Sequence, residues 1–441
     1  FSKIQRLQFR VIRIAMGYRL STPINVMLFE VREVPLKFRF NLLTRKYLIK
    51  CFSRDFNPVT ESLLSLKLAA LDNSRRNNLL ISFPIFKHFI CLLHYRNIIY
   101  RSPFLPFHFF DFEVALFAAS PCFAMFPADR NLSHSEMRNL FLEKSSEYRN
   151  NISFYTDGSK LDRDTPSGAA VFSPDLNFRL SHKLSSETSV FTAEAWAILQ
   201  AVNASLDFNR SRSVIFLDCK SVLEALSSPI PPNKNYIIHI IKKRLVDAIK
   251  DNKVIHLFWI PAHSGIPGNE IVDALARRAV SSGSKPCFKI PYTDLFLEFK
   301  DSLCKQFSEY LEEAARETGL LHASIFQHNI SPHPWYYKKS LCRNDIVLIN
   351  RIRSNHYNLN YSLFRKNMTT SAACPCGDSK QDINHIIFYC PITTPTSQQL
   401  RSFLVKSFPH FPIDILPILY NPSPKHIRLL SAFLKSNDIL I

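Results

Sequence analysis

Glycine is scarce in this sequence, at 8 of 441 residues, and no two aspartates are adjacent. The missing Asp-Asp pair excludes a polymerase centre built on paired aspartates. Long apolar runs are missing too. The longest uncharged stretch around the apolar segment Phe104–Pro127 is Val114–Pro127, well short of the ~18–20 residues a membrane span needs. No transmembrane helix and no membrane partner are expected. The ten cysteines lack the rhythm of a disulfide framework: Cys51, Cys91, Cys122, Cys219, Cys287, Cys304 and Cys342 are scattered. With no signal peptide at the start, an intracellular, reducing compartment is expected, nucleus or cytoplasm. No repeat of solenoid period is present.

What the chain does have is apolar mass and positive charge. Phenylalanine numbers 37 and hydrophobic residues make up 46%, enough for a sizeable core and against wholesale disorder. The length allows roughly two to four domains. The net charge is +19, which points to a polyanionic partner, since phosphate neutralisation drives nucleic-acid affinity. Residues 1–50 hold eleven Lys or Arg against Glu30 and Glu33, whereas residues 151–282 hold fifteen against thirteen acids. The basic surface therefore lies mostly outside the second stretch.

Along the chain, Lys3, Arg6, Arg10 and Arg13 recur at helical spacing beside an apolar stripe of Ile4, Leu7, Val11 and Ile14. This reads as a solvated basic face next to a stripe packed on a core. Residues 82–127 show no clean period and read as an irregular connector. A regular pattern follows: strands at Ile152–Thr156, Gly168–Ser173 and Phe178–Lys183, a helix at Thr192–Ala204, a strand at Ser213–Leu217, helices at Lys220–Leu226 and Tyr236–Lys250, a strand at Val254–Ile260, and a helix at Asn269–Val280 with Asn269 as its N-cap. The order β-β-β-α-β-α-α-β-α implies a mixed sheet with helices packed on it. Residues 284–340 look largely helical.

Four acids occupy telling places in this pattern. Hydrophobic runs lead straight into Asp157 and Asp218, which puts both at strand ends, where α/β sheets bind ligands. Glu194 falls in the first turn of the long helix, and Asp273 one turn into the last. Any one of them alone reads as a turn, cap or solvated residue. Together they suit phosphodiester hydrolysis, in which two hard cations about 3.5–4 Å apart stabilise the attacking and leaving oxygens. Mg²⁺ prefers oxygen ligands and keeps several waters, so a few converging carboxylates suffice.

The motifs that hold these acids are Tyr155-Thr156-Asp157-Gly158-Ser159, Thr192-Ala193-Glu194, Leu217-Asp218-Cys219-Lys220-Ser221, and Trp259-Ile260-Pro261-Ala262-His263-Ser264-Gly265 running into Gly268-Asn269-Glu270-Ile271-Val272-Asp273. In this order over some 120 residues they resemble type-1 ribonuclease H, especially the version carried by non-LTR retrotransposons of arthropods. The resemblance implies an α/β fold with a ribonuclease H-like mixed five-stranded sheet and flanking helices. It implies Mg²⁺-dependent cleavage of the RNA strand of an RNA–DNA hybrid, leaving a 3′-hydroxyl and a 5′-phosphate, with two ions that Mn²⁺ could replace. Asp157 would bridge both ions, Glu194 and Asp218 would complete one site, and Asp273 the other. His263 would assist proton transfer or product departure, a suitable task for imidazole near neutral pH. Gly158 and Ser159 would lie against the RNA backbone, where amides and a hydroxyl can read 2′-hydroxyls. Two departures stand out: Val190 and Phe191 replace polar residues common before the helical Glu, and Ala262 replaces a common Gly.

The flanks carry weaker patterns. Residues 1–50, with Ile4-Gln5-Arg6-Leu7, Ile14-Ala15-Met16-Gly17-Tyr18 and Ser21-Thr22-Pro23-Ile24, resemble the thumb end of a retroelement reverse transcriptase. An upstream polymerase is thus a possible partner, and the start at Phe1 suggests the tail of a longer polyprotein. Cys374, Cys376, His385 and Cys390 form C-x-C-x₈-H-x₄-C, and three thiolates with one imidazole suit a closed tetrahedral Zn²⁺ site. Buried free cysteines beside a core His fit the same spacing. The cluster also resembles the Cys/His motif that follows ribonuclease H in these elements.

The expected organisation is a mainly helical thumb-like remnant at 1–80, the connector at 81–148, the nuclease at 149–282, a helical linker at 283–340 and a small zinc-binding region at 341–441. Two rivals to the nuclease reading remain: a catalytically inactive nucleic-acid-binding remnant, and another nuclease or integrase of the same general fold.

Overall fold

A computed structural model of the protein describes residues 2–71, 79–102, 123–126, 133–208, 211–228, 235–328, 331–408 and 414–441. Most of the apolar segment 104–127 lies outside the described residues. The chain forms two compact units, one of Asn41–Asp301 and one of Phe1–Phe40 with Ser302–Ile441. Among the described residues no helix is long and apolar enough to cross a membrane, and every cysteine is free.

The unit of Asn41–Asp301 is built on one mixed sheet of strands β1 (Phe123–Met125), β2 (Ile152–Lys160), β3 (Ser167–Ser173), β4 (Phe178–Lys183), β5 (Arg212–Leu217) and β6 (Val254–Trp259). Their order across the sheet is β1-β6-β5-β2-β3-β4. The first four are mutually parallel, and β3 and β4 run antiparallel to β2 and β3. Five strands are those the sequence predicts. The sixth, β1, comes from the stretch without a clean period, because Phe-Ala-Met at an edge is too short to show alternation.

Alternation along the strands divides the core between the two faces of the sheet. Phe154, Ile215, Leu217 and Leu257 face helices α2 (Val190–Asp207), α3 (Lys220–Ser227) and α4 (Tyr236–Lys250). Tyr155, Phe172, Phe216 and Phe258 face α1 (His134–Ser145) and α5 (Pro267–Ser282). A smaller core joins Leu48, Ile49 and Phe52 to helix Pro84–Leu92 and to Leu295 and Phe299.

Three local expectations are corrected. Glu194 is the fifth residue of α2, just past its first turn, because the helix opens at Val190 with Ser189 as N-cap. Asn269 is not an N-cap: α5 begins at Pro267, whose missing N–H suits a first helical position, so Asn269 lies inside the helix. The apolar stripe Ile4, Leu7, Val11 and Ile14 of helix Ser2–Met16 is exposed. That helix carries a second apolar stripe, and Phe9, Ile12 and Met16 are the residues that enter the core of its own unit.

In that unit, Met27, Phe29, Phe326, Ile349, Ile352 and the C-terminal helices share a core. At its centre the buried Glu30 carboxylate accepts from Arg353 Nε at 2.9 and 3.0 Å. The guanidinium and His322 hold this carboxyl down to about 2 against the push of burial.

Candidate active site

Register brings the first two acids together. Thr156 pairs with Leu217 across the parallel strands β2 and β5, so the next residues, Asp157 and Asp218, stand side by side at the carboxyl end of the sheet. Both follow core residues of the α5 face, Tyr155 and Phe216, and alternation turns both carboxylates to that face. Asp218 is fixed further by Trp259, whose Nε1 donates to the Asp218 carbonyl at 2.9 Å.

Glu194 arrives from the opposite side. A side chain at position 158 would collide with the Glu194 amide and the Ala193 carbonyl carbon, so glycine here lets α2 press its backbone on β2 and carries Glu194 to the strand end. Carboxylate oxygens of Asp157, Glu194 and Asp218 all lie within 4.8 Å of one another. Asp157 and Glu194 are buried, and among the described residues Glu194 Oε2 has no hydrogen-bond partner.

Burial and mutual repulsion set the electrostatics. Burial pushes the Asp157 carboxyl up to about 7, and the charges of Asp218 and Asp273 add to the push against the Gly158 amide and Arg277. Burial also raises Glu194 well above the carboxylate range, helped by Asp157 and Asp218. Asp218 is raised by burial and by Asp273, while Asn269 and His263 oppose this. Carboxylates crowded in this way keep their charge only if a cation joins them. The orphaned Glu194 oxygen and the all-oxygen donor set fit a hard divalent ion.

Asp273 stands beside this trio rather than in it. Arg277 Nε meets its Oδ1 at 2.9 Å and His263 Nδ1 approaches its Oδ2 at 3.8 Å. With Glu270, His263 and Asp273 form a second group whose ligand atoms lie within 4.8 Å of one another. His263 is exposed and sits in the left-handed backbone region at φ 51°. Ser159 is half-buried at the same strand end.

Sequence reasoning assigned no role here to Asn269, Arg277 or Asp294. Asn269 Nδ2 donates to Asp218 Oδ2 at 3.2 Å. Asp294 clamps the start of α2: its Oδ2 accepts from the Ser189 amide at 3.0 Å and its Oδ1 from the Thr192 hydroxyl at 3.0 Å. Asn235 Nδ2 donates to the same Thr192 oxygen at 2.9 Å. Arg277 was visible as an i, i+4 partner of Asp273; Asp294 had no local signal. Asp294→Ala removes this capping network and should lower unfolding stability by about 1–2 kcal/mol, read from urea denaturation.

In the other unit, Cys374, Cys376, His385 and Cys390 also converge within 4.8 Å. Cys374 and Cys390 sulfurs are 3.8 Å apart, far beyond a disulfide bond but close to the edge of about 3.8 Å of a tetrahedron around an ion about 2.3 Å from each sulfur. Cys376 Sγ lies 3.3 Å from His385 Nε2. Asp378 approaches His385 Nδ1 at 3.5 Å, the outer contact that orients metal-binding imidazoles. Gly377 makes the tight turn between these residues at φ 99°. Of the neighbouring aromatics, Phe388 is buried and Tyr389 exposed. The donor set fits zinc.

Residues 149–281 match the family model described as RNase H. The match supports a ribonuclease H domain in this segment, and the mixed sheet with flanking helices is consistent with that α/β fold. The match supports a ribonuclease H-type nuclease.

Proposed function

We propose that the domain hydrolyses the RNA strand of RNA–DNA hybrids, with Asp157, Glu194, Asp218 and Asp273 holding two Mg²⁺ ions for which Mn²⁺ can substitute. The observation that carries the reading is the convergence of three carboxylates from three separate elements, with a buried Glu194 oxygen left without a partner. When bound, the ions supply positive charge to the attacking and leaving oxygens of the phosphodiester.

The protein's own residues do the rest. Asp157, Glu194 and Asp218 would hold one ion, and Asp157 with Asp273 would hold the other. Asn269 fixes the rotamer of Asp218. His263, exposed beside Asp273, moves a proton at the reacting oxygens. Gly158 and Ser159 offer an amide and a hydroxyl to the RNA backbone. Cys374, Cys376, His385 and Cys390 would hold Zn²⁺, which would cross-link the C-terminal region. The order of a thumb-like segment, nuclease and Cys/His motif supports a retroelement origin, with a reverse transcriptase as the natural upstream partner.

The test is cleavage of a labelled RNA–DNA hybrid in Mg²⁺ by the full chain, beside RNA–RNA and DNA–DNA duplexes. Hybrid-specific cutting is expected. Equal cutting of the DNA duplex would mean a nuclease of different specificity on the same fold.

A pH dependence follows from the raised carboxyls. In the metal-free protein the folded state holds a proton on Asp157 up to about pH 7, whereas the unfolded chain releases it near pH 4. The folded state thus binds more protons in this window, and stability falls as pH rises from about 4 to 7. Thermal midpoints in chelator should decline over that range. Added Mg²⁺ should restore them most at the upper end, and Asp157→Asn should flatten the slope.

A further inference from the structure

The unit of Phe1–Phe40 and Ser302–Ile441 gathers cations that the nuclease reading leaves unused. The last turn of helix Ser2–Met16 and the residue after it are tied to helix Arg343–Arg353: Arg343 Nε and Nη2 donate to the carbonyls of Ala15 and Ile14 at 3.0 and 2.8 Å, and Arg351 Nε to that of Gly17 at 2.7 Å. A side chain at Gly17 would collide with Val347. His356 Nδ1 meets Ser21 Oγ at 3.0 Å. Arg19 lies in the chain between these ties, close enough to Arg351 and Lys366 for its charge to act on both.

The turn at Asn355 brings in two more cations. Its carbonyl accepts from Arg365 Nη2 at 2.7 Å and from Ser362 Oγ at 3.2 Å, and Ser362 Oγ accepts from Lys366 Nζ at 2.9 Å. Among the described residues none of these six side chains forms an ion pair with an Asp or Glu carboxylate, while Arg351 Nη1 also donates to the Ile441 oxygen. Among the described residues Arg19 Nε is buried without a hydrogen-bond partner.

The groups act on one another as like charges do. Burial, then Lys366 and Arg365, push the His356 imidazole down to about 3. Burial, then Arg365 and Arg19, bring Lys366 down to about 8. Arg351 is lowered by burial and by Arg19 and Arg343. Such self-repulsion destabilises the folded unit unless an anion relieves it.

Aromatic surface adjoins the cluster. Lys380 Nζ stands 4.4 Å and the Arg365 guanidinium 5.6 Å from the centre of the Tyr361 ring, and Phe364 is exposed. Cations beside the half-buried Tyr361 ring and the exposed Phe364 ring suit a strand whose phosphates and bases both need partners.

We propose that Arg19, Arg351, His356, Arg365 and Lys366, with Tyr361 and Phe364 beside them, form a binding site for the backbone and bases of single-stranded nucleic acid, outside the nuclease domain. The choice of nucleic acid over other phosphates rests on the nuclease reading; the anion site itself rests on the cluster.

The experiment measures binding of a labelled poly-dT oligonucleotide to the full chain as a function of salt, with Arg19→Gln, Lys366→Gln and Phe364→Ala. Hybrid cleavage is assayed in parallel, so that loss of this site and failure of the nuclease reading are separate results. Each charge-removing variant should bind about threefold to tenfold more weakly and lower the salt slope by about 0.7 for each phosphate it no longer neutralises. Its thermal midpoint should stay level or rise, because a repelling charge is gone. Phe364→Ala should weaken binding with the slope unchanged. Unaltered affinity and slope in Arg19→Gln and Lys366→Gln would overturn the proposal. So would a lowered midpoint in both, which marks a structural cluster. Loss of binding to phosphatidylserine vesicles in these variants, with no oligonucleotide binding by the parent, would reassign the site to a lipid surface.

Discussion

Asp157→Asn should lower hydrolysis of an RNA–DNA hybrid by about a thousandfold or more, roughly 4 kcal/mol of transition-state stabilisation, with hybrid binding retained. The size follows from position. Asp157 lies within 4.8 Å of Glu194 and Asp218 and is also pushed by the charge of Asp273, so its carboxylate acts with all the other three, as that of Asp218 does, and it is the more buried of the two. An amide of nearly the same shape keeps the strand end intact while removing a charge and an anionic ligand. The substitution should also stabilise the metal-free fold, because repulsion in the cluster falls. Single-turnover cleavage and a thermal melt in chelator check both halves. If the parent chain binds the hybrid but does not cut it, the binding-only reading replaces catalysis.

The second large effect concerns the Cys/His cluster. Metal analysis of the purified chain should find about one Zn²⁺ per molecule at a closed four-ligand site, and Cys374→Ser or Cys390→Ser should lose it. Strong chelation should then lower the thermal midpoint of this unit by roughly 10 °C or more, since about 1 kcal/mol moves a domain of this size by about 2–4 °C and a structural zinc site supplies several times that. Cys374 and Cys390 are buried, so without an ion the unit is left with buried thiols whose neighbours are placed for a metal. A full complement of stability in the zinc-free protein would reduce the cluster to packed free cysteines.

Much of the nuclease was legible because its signals are local. Apolar runs lead into Asp157 and Asp218, and the parallel pairing of β2 with β5 ends just before both; that β2 itself continues past Asp157 to Lys160, paired with β3, was not legible. The Cys/His spacing allowed a metal site or buried free cysteines, and the convergence of the four residues came only with the fold. Other features depend on contacts that no local pattern encodes. Asn269 looks like an N-cap by composition, but Pro267 starts the helix earlier and frees Asn269 to reach Asp218. Helix Ser2–Met16 carries two apolar stripes at helical spacing, and periodicity alone does not choose the one with Phe9, Ile12 and Met16 over the one with Ile4, Leu7 and Val11. The cationic cluster joins Arg19 to residues more than three hundred positions away, where sequence shows only scattered basic residues.

The Asp294 clamp bears on how the catalytic unit is defined. The family match ends at residue 281, yet the carboxylate that holds the first turn of α2 lies thirteen positions later. A fragment trimmed to the family boundary keeps Asp157, Glu194, Asp218 and Asp273 and loses the brace that aligns one of them. Kinetic constants measured on such a fragment would describe a loosened Glu194, and the shortfall would be blamed on a decayed active site when its source is the scissors.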